Sequence, residues 1–397
     1  MSPNTAKYLR ATALQLLMLC GSTTICGQEA VELQRHDTDT ISSSDKPGRS
    51  IISKISDYFK DSNQEKEPGK FDISFIGGPH YSKETQFGLG ILAAGLYRPV
   101  GHPEAPVSNV TLYSDFATVG SYLVGIRGNH YMKNSRIRLD YKAYFYSVPS
   151  YFWGVGFDEE VIDSNKTKYK KRQAQFIVEL KYRAGNTFYI GPILEFDYFS
   201  AVKPHSLTPW TGYPVTTYSY GIGAAVSYDT RDNLTAPKSG VMLMAKSVGY
   251  PAISSHSSAF GITTLEACNY QSLWKGATLA SRAYLSMAHG KKIPWGLLPA
   301  VSGETLRGYY GRRFCDKNEI EILLELRQHV WRRNGVVAWV GAGEVFPEFK
   351  RLTMRRILPS FGVGYRWEFK KNINIRLDYG IGRFHESNFI FSINEAF

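Results

Sequence analysis

From residue 71 to the end of the chain, apolar and polar side chains take turns with a period of two. In residues 174–183, Ala174, Phe176, Val178, Leu180 and Tyr182 alternate with Gln175, Ile177, Glu179, Lys181 and Arg183. In residues 136–145, Ile137, Leu139, Tyr141, Ala143 and Phe145 alternate with Arg136, Arg138, Asp140, Lys142 and Tyr144. Later, Ile373, Ile375, Leu377, Tyr379 and Ile381 alternate with Asn374, Arg376, Asp378 and Gly380. Successive side chains of a strand point to opposite faces of its sheet, so each segment has one apolar face and one wet face. Sixteen such segments can be marked, near residues 71–82, 85–98, 108–118, 120–132, 135–147, 172–184, 186–201, 215–230, 239–250, 258–271, 276–289, 319–332, 335–345, 357–370, 373–383 and 387–397. Most have the roughly 9–11 residues a strand needs to cross a bilayer at a tilt.

A soluble sandwich alternates in the same way, and composition tilts the choice. The chain carries 26 Tyr and 22 Phe, which suits the aromatic girdles of a membrane barrel better than a Leu/Val core. No stretch reaches the ~18–20 continuous apolar residues of a membrane helix, which excludes a helical membrane protein. At the chain's end Phe389, Phe391, Ile393 and Phe397 fall on one face, as in a closing strand paired along its whole length. The pattern thus predicts an all-β protein, a transmembrane antiparallel β-barrel of about 16 strands, with a short disordered N-terminal leader. An even strand count puts both termini on the periplasmic side of a bacterial outer membrane. Turns at 132–135, 184–186, 333–335 and 370–372 are then short and periplasmic, and connections near 148–171, 201–214 and 290–318 are long outer loops.

The N-terminus reads as an export signal over residues 1–27. Lys7 and Arg10 supply the positive end, residues 11–20 the apolar core, and Cys26-Gly27 the small-residue cleavage site. A lipoprotein site at Leu17-Met18-Leu19-Cys20 is the alternative. Residues 28–70 are polar and lack alternation, as a flexible periplasmic leader would. Within them Ile51, Ile52, Ile55, Tyr58 and Phe59 fall at the spacing of a short amphipathic helix. The barrel is expected over 71–397.

The net charge of +12 could suggest nucleic acid, but an exported chain does not meet it. Lumen and rim cations facing anionic lipid are the plainer account. Of four cysteines, Cys20 and Cys26 leave with the signal. Cys268 and Cys315 remain, with their pairing open. No metal-ligand spacing, nucleophile elbow, P-loop or dinucleotide fingerprint occurs. His80, His130, His289 and His329 are scattered, Ser147 and Ser150 have no neighbouring His, and Asp158, Glu159 and Glu160 read as solvated loop acids. No enzyme, cofactor or metal is expected.

The connection between the eleventh and twelfth segments carries Leu306-Arg307-Gly308-Tyr309 within Ser302–Phe314. It resembles the [Val/Leu/Ile]-Arg-Gly-[Phe/Tyr] motif of the BamA/TamA outer-membrane superfamily (bacterial surface antigen barrels), whose sixteen-stranded barrels carry it in that loop. Ser227–Asn233 with Pro237–Gly240 resembles the family's mid-barrel turn, and Phe361-Gly362-Val363-Gly364 and Leu377-Asp378-Tyr379-Gly380 resemble its late strands. The resemblance covers about residues 71–397. It implies that the loop folds into the lumen and that Arg307 meets an acid on strands 13–15, with Glu344, Glu368 and Asp378 as candidates. A guanidinium in a confined lumen needs such a partner. The family often has Asp where this chain has Gly341. The resemblance also implies that the aromatic end (Phe389, Phe391, Ile393, Phe397) is the signal by which the barrel-assembly machinery inserts the chain.

Family members that insert or export proteins carry POTRA modules before the barrel, and residues 28–70 do not suggest one. The expected function is therefore outer-membrane or surface biogenesis, together with outer-membrane lipid and a POTRA-bearing or periplasmic partner. The Gly-rich opening (Gly77, Gly78, Gly88, Gly90) would suit a weak seam with the last strand. The alternative is a passive pore or structural barrel for small solutes.

Overall fold

The computed structural model describes residues 72–82, 86–98, 107–132, 136–253 and 259–397. The signal segment 1–27, the leader 28–70 and the connection 99–106 lie outside the described residues. Sixteen strands follow one another in a single sheet, each hydrogen-bonded antiparallel to its chain neighbours. They are β1 (Asp72–Ser82), β2 (Gln86–Tyr97), β3 (Ser108–Ala117), β4 (Ser121–Tyr131), β5 (Ile137–Phe152), β6 (Thr167–Ala184), β7 (Phe188–Val202) and β8 (Thr216–Asp229). The second half comprises β9 (Gly240–Tyr250), β10 (Phe260–Ser272), β11 (Ala277–Gly290), β12 (Asn318–Trp331), β13 (Asn334–Phe346), β14 (Leu358–Lys370), β15 (Ile373–Ile381) and β16 (Ser387–Ile393). Residues of β2–β6 and of β15–β16 line one cavity, so the sheet is rolled around a lumen. Among the described residues, no ladder joins β16 back to β1.

The alternation has the physical consequence the pattern predicts. On β12, Glu321, Leu323 and Glu325 are inside and fully buried, while Ile322 and Leu324 are outside and half exposed. Register carries that sidedness across the sheet: Ile322 faces Ala342 and Glu325 faces Trp339 on β13. The outer face presents an exposed apolar belt that includes Phe176, Leu194, Tyr218, Ile222, Val340, Val363, Phe389 and Phe391. Exposed Trp274 and Trp331 lie near the end of the barrel that carries the tight turns.

Two boundaries differ from the sequence expectation. β5 and β6 reach much further than 135–147 and 172–184, pairing as far as Phe152 with Thr167. The cations Lys168, Lys170 and Lys171, expected in a loop, ride on this long hairpin beside Arg172. Lys171 lies over the rings of Tyr146 and Phe199, so its charge is placed against aromatic faces.

The last strand is shorter than expected. Phe389 and Phe391 do share the outer face with the belt, but Phe397 does not. β16 stops at Ile393, and Asn394 takes a left-handed backbone with φ 70°, a conformation Asn tolerates better than most residues. The chain then turns inward. Glu395 bonds Arg366 and Asn374, and Phe397 packs beside Cys268, Tyr270 and Ala280. A carboxylate among lumen arginines outweighs continued pairing of the strand.

Candidate functional site

The long connection from β11 to β12 folds into the lumen rather than out into solvent. Its residues Val301, Leu306, Tyr309 and Phe314 form a buried cluster with Phe157, Val345 and Leu358. Gly308 permits the tight turn: its φ is 107°, and a Cβ there would lie 2.6 Å from the Ile381 carbonyl carbon. Gly380 matches it from the wall, since a Cβ on it would lie 2.6 Å from the Gly308 nitrogen. Loop backbone and β15 backbone therefore touch through two glycines. Gly308 N–H donates to Asn388 Oδ1 at 2.8 Å, and Tyr309 O–H donates to the Pro359 carbonyl at 2.6 Å. The Arg383 N–H in turn donates to the Tyr309 hydroxyl at 2.8 Å. The motif is thus held by β14, by β16 and by the β15–β16 connection.

Arg307 is fully buried and meets two acids. Its guanidinium donates to Glu325 Oε2 at 2.5 Å and to Asp378 Oδ2 at 2.8 Å, and it lies 3.6 Å from the Trp339 ring centroid. Of the three candidate partners, Asp378 is the one that reaches it. Asp378 has room because Gly364 stands directly opposite on β14, where a Cβ would come 2.0 Å from Asp378 Oδ1. Glu344 does not reach Arg307, because it shares the outward parity of Val336 and Val340 on β13; its carboxylate instead accepts the Thr353 N–H at 3.0 Å. Glu368 lies at the β14–β15 turn beyond Arg366 and accepts the Asn372 N–H at 3.1 Å. Glu325 was not among the candidates. Its inward parity was visible in β12, whose alternate positions Glu319, Glu321 and Glu325 are acids.

These residues belong to a closed ring of alternating charge. Glu325 also accepts from Arg327 at 2.7 Å, and Arg327 lies 3.7 Å from Glu395. Glu395 accepts from Arg366 at 2.7 Å, Arg366 donates to Asp378 at 2.5 Å, and Asp378 returns to Arg307. Three arginines and three acids from the loop, β12, β14, β15 and the segment after β16 therefore hold one another away from water. A buried pair is weak evidence for net stability, but removing one partner is costly because it strands a charge. The ring's clearest role is to fix which elements meet.

Both ends of the lumen are obstructed. At the loop end, Phe152, Tyr169, Phe199, Trp210, Trp295, Leu298 and Cys315 form an aromatic cap. Beside it Glu160 is fully buried, accepting the Cys315 N–H at 2.7 Å, and the Arg313 Nε–H donates to the Glu160 carbonyl at 3.1 Å. Burial pushes the Glu160 carboxyl well above the usual carboxylate range, partly offset by the bonds from Cys315. Burial, and then the neighbouring Glu160, raise the Cys315 thiol as well. Cys268 and Cys315 are both unpaired thiols. At the turn end, the β8–β9 connection reaches across the lumen, and the Thr235 hydroxyl donates to the Asn372 carbonyl at 2.6 Å. Asn233 Oδ1 braces that reach by accepting from the Thr235 and Ala236 N–H groups. Between these ends, along β2–β6, a cavity of about 420 Å³ is lined by Arg127, Asp140, Lys142 and Glu179.

No protein-family model matches the sequence, and no curated protein matches it. Solved structures do resemble it. A BamA from Haemophilus ducreyi lacking POTRA domains 1–3 is 13% identical with a TM-score of 0.52, over 83% of this chain and 71% of that one. CdiB from Escherichia coli is 10% identical with a TM-score of 0.53, over 86% of this chain and 70% of that one. CdiB from Acinetobacter baumannii is 11% identical with a TM-score of 0.51, over 82% of this chain and 59% of that one. At these identities the likeness is one of fold: the chain forms a sixteen-stranded antiparallel β-barrel similar to those of BamA and CdiB.

Proposed function

We propose that the chain is an outer-membrane barrel of the BamA/CdiB type that works in membrane or surface assembly with a separate partner, not as an enzyme. The membrane assignment rests on the exposed apolar belt, since a face of that extent in water would be an interaction or aggregation surface. The observation that carries the functional reading is the β11–β12 loop locked into the lumen through Arg307, Glu325 and Asp378. A barrel built to pass solutes gains nothing from a plug held by a buried six-charge ring. A barrel that presents its wall to other chains or lipids needs a defined interior. The partner would be a periplasmic or POTRA-bearing protein.

A passive pore is the second reading, favoured by the polar cavity beside β2–β6. Planar-bilayer recording separates the two. A mostly closed, flickering conductance supports the plugged barrel, and a steady open channel supports the pore. Depletion that left the outer-membrane proteome and lipid asymmetry unchanged would remove the assembly reading.

A further inference from the structure

The connection between β13 and β14, residues 347–357, does not continue the barrel wall upward. Along β13 the even-numbered side chains face outward, as half-exposed Val336 and Val340 show. Glu344 and Phe346 continue that parity, yet they are 3% and 0% exposed. The connection covers them. The Thr353 N–H donates to Glu344, the Phe349 ring stands edge-on to Phe346 with centroids 5.3 Å apart, and Asn318 Nδ2 holds the Phe346 and Pro347 carbonyls at 3.1 Å. Further anchors come from the Arg383 guanidinium, which donates to the Arg355 carbonyl at 2.7 Å, and from the Arg356–Asp158 pair at 2.6 Å. The segment is therefore a fixed collar folded over the barrel's outer face.

What the collar displays is unusual for a fixed segment. Phe349, Leu352 and Met354 are 56%, 46% and 84% exposed, and exposed Lys350, Arg351 and Arg355 are interleaved with them. Lys350 pairs with Glu348 in the open, where such a pair contributes little. Arg351 and Arg355 have no ion-pair partner among the described residues. Below the collar on β14 the outer face continues with exposed Phe361 and Val363. Apolar tips and free cations together, at the edge of an apolar belt, suit the boundary between acyl chains and anionic head groups.

We propose that residues 349–355 form a lipid-docking collar that binds the phosphate-bearing head groups of the bilayer leaflet around β13 and β14. Phe349, Leu352 and Met354 enter the head-group layer, and Lys350, Arg351 and Arg355 engage the phosphates. The proposal rests on the membrane-barrel reading above.

The test uses the purified full chain in detergent, mixed with phosphatidylglycerol or phosphatidylcholine, with retained lipids counted by native mass spectrometry. Wild type should retain phosphatidylglycerol over phosphatidylcholine, and the K350Q/R351Q/R355Q variant should lose that preference by roughly tenfold or more. L352S/M354S should lower retention of both lipids. These side chains are exposed, so both variants should keep the heat-modifiable gel shift of a folded barrel. If the triple variant cannot be recovered folded, the R351Q/R355Q pair carries the same expectation at smaller size. Unchanged phosphatidylglycerol retention in a folded charge variant overturns the collar while leaving the barrel intact. So does complete displacement by inorganic phosphate, which would make the site a free-anion site. Charge dependence with no effect of L352S/M354S also overturns it, in favour of an acidic protein surface. Failure of wild type to insert into vesicles strikes the barrel reading itself.

Discussion

The same lumen is built in two ways on its two sides. Between β12 and the segment after β16, every member of the six-charge ring has two oppositely charged neighbours, and Arg307, Glu325 and Asp378 have no exposure at all. Along β2–β6, Arg127 and Lys142 face a cavity of about 420 Å³ without an ion pair among the described residues. Charged residues are plentiful on both sides, so their number does not explain the difference. It lies in what the pairs join: beside the cavity Lys181 ties Asp140 and Glu179 only across the neighbouring strands β5 and β6, whereas the ring draws in the loop and the segment after β16. Arg307 and Glu325 are 18 residues apart in sequence and Arg307 and Asp378 are 71 apart. Those two contacts are tertiary constraints, whereas Glu325–Arg327 lies within β12. A lone cation beside water constrains nothing.

The largest expected effect follows from removing the hub. R307A would leave Glu325 with Arg327 alone, and Asp378 with Arg366 and the more distant Arg376 at 3.9 Å, in a dry site. Stranding buried charge typically costs about 3–5 kcal/mol. The expected result is a lower midpoint for the heat-modifiable gel shift and a longer open time in planar bilayers. If R307A were as stable and as closed as wild type, the contrast between the two sides would have no energetic content.

Next comes Glu395, which does not touch Arg307. A charged hydrogen bond of this kind contributes about 1.5–3 kcal/mol, so E395A should lower the same midpoint by less than R307A. The sharper measurement is the double-mutant cycle. Residues in one charge network couple by about 0.5–3 kcal/mol, whereas independent sites add within roughly 0.3–0.5 kcal/mol. Additivity of R307A and E395A would break the ring into separate pairs.

The two sides also differ in how far they could be read in advance. Strand order and sidedness were legible because a period of two has only one structural consequence, and Gln175, Glu179 and Lys181 sit opposite Phe176, Val178 and Leu180 as the pattern requires. The loop motif pointed to Arg307, and the family resemblance offered Asp378 only beside Glu344 and Glu368, neither of which reaches the arginine. Glu325 was harder. Parity shows that it faces inward, but which inward acid meets a given arginine depends on strand stagger, which alternation does not encode. The inward turn of Glu395 depends on one left-handed residue, Asn394, whose φ is not written in any periodicity. The collar over Glu344 was invisible for a related reason. It reverses the solvent exposure that parity assigns to Glu344 and Phe346.

A third test concerns the cap, where a single acid is buried without a cation against its carboxyl. Its surroundings are Cys315, Asp316 and the Arg313 guanidinium on its own carbonyl. The folded carboxyl titrates above its unfolded value of about 4.3. Its contribution is therefore fully present below that pH and is lost as pH rises through the folded value. E160Q keeps an oxygen for the Cys315 N–H and removes the titration. At each pH, the rate of proteolytic nicking within residues 291–317 should be compared between variant and wild type. The two should match under acid conditions, with the variant more resistant at alkaline pH, by less than the E395A effect. A constant ratio across pH would mean that Glu160 stays neutral or that the cap opens independently of it.

The smallest effect is the most direct probe of the other side of the lumen. R127A removes a cation that faces the cavity with no ion pair to lose, and changes of this kind usually fall within about 0.5 kcal/mol. Stability should therefore stay near wild type, while any residual conductance should become less anion-selective, because the cation then lost is one that lines the wet path. If R127A were instead as damaging as R307A, Arg127 would belong to a network of its own, and the wet side would be structural as well. If selectivity did not move while current still flowed, ions would be passing elsewhere than along β2–β6. Either result would relocate the boundary between the locked and the open parts of the lumen.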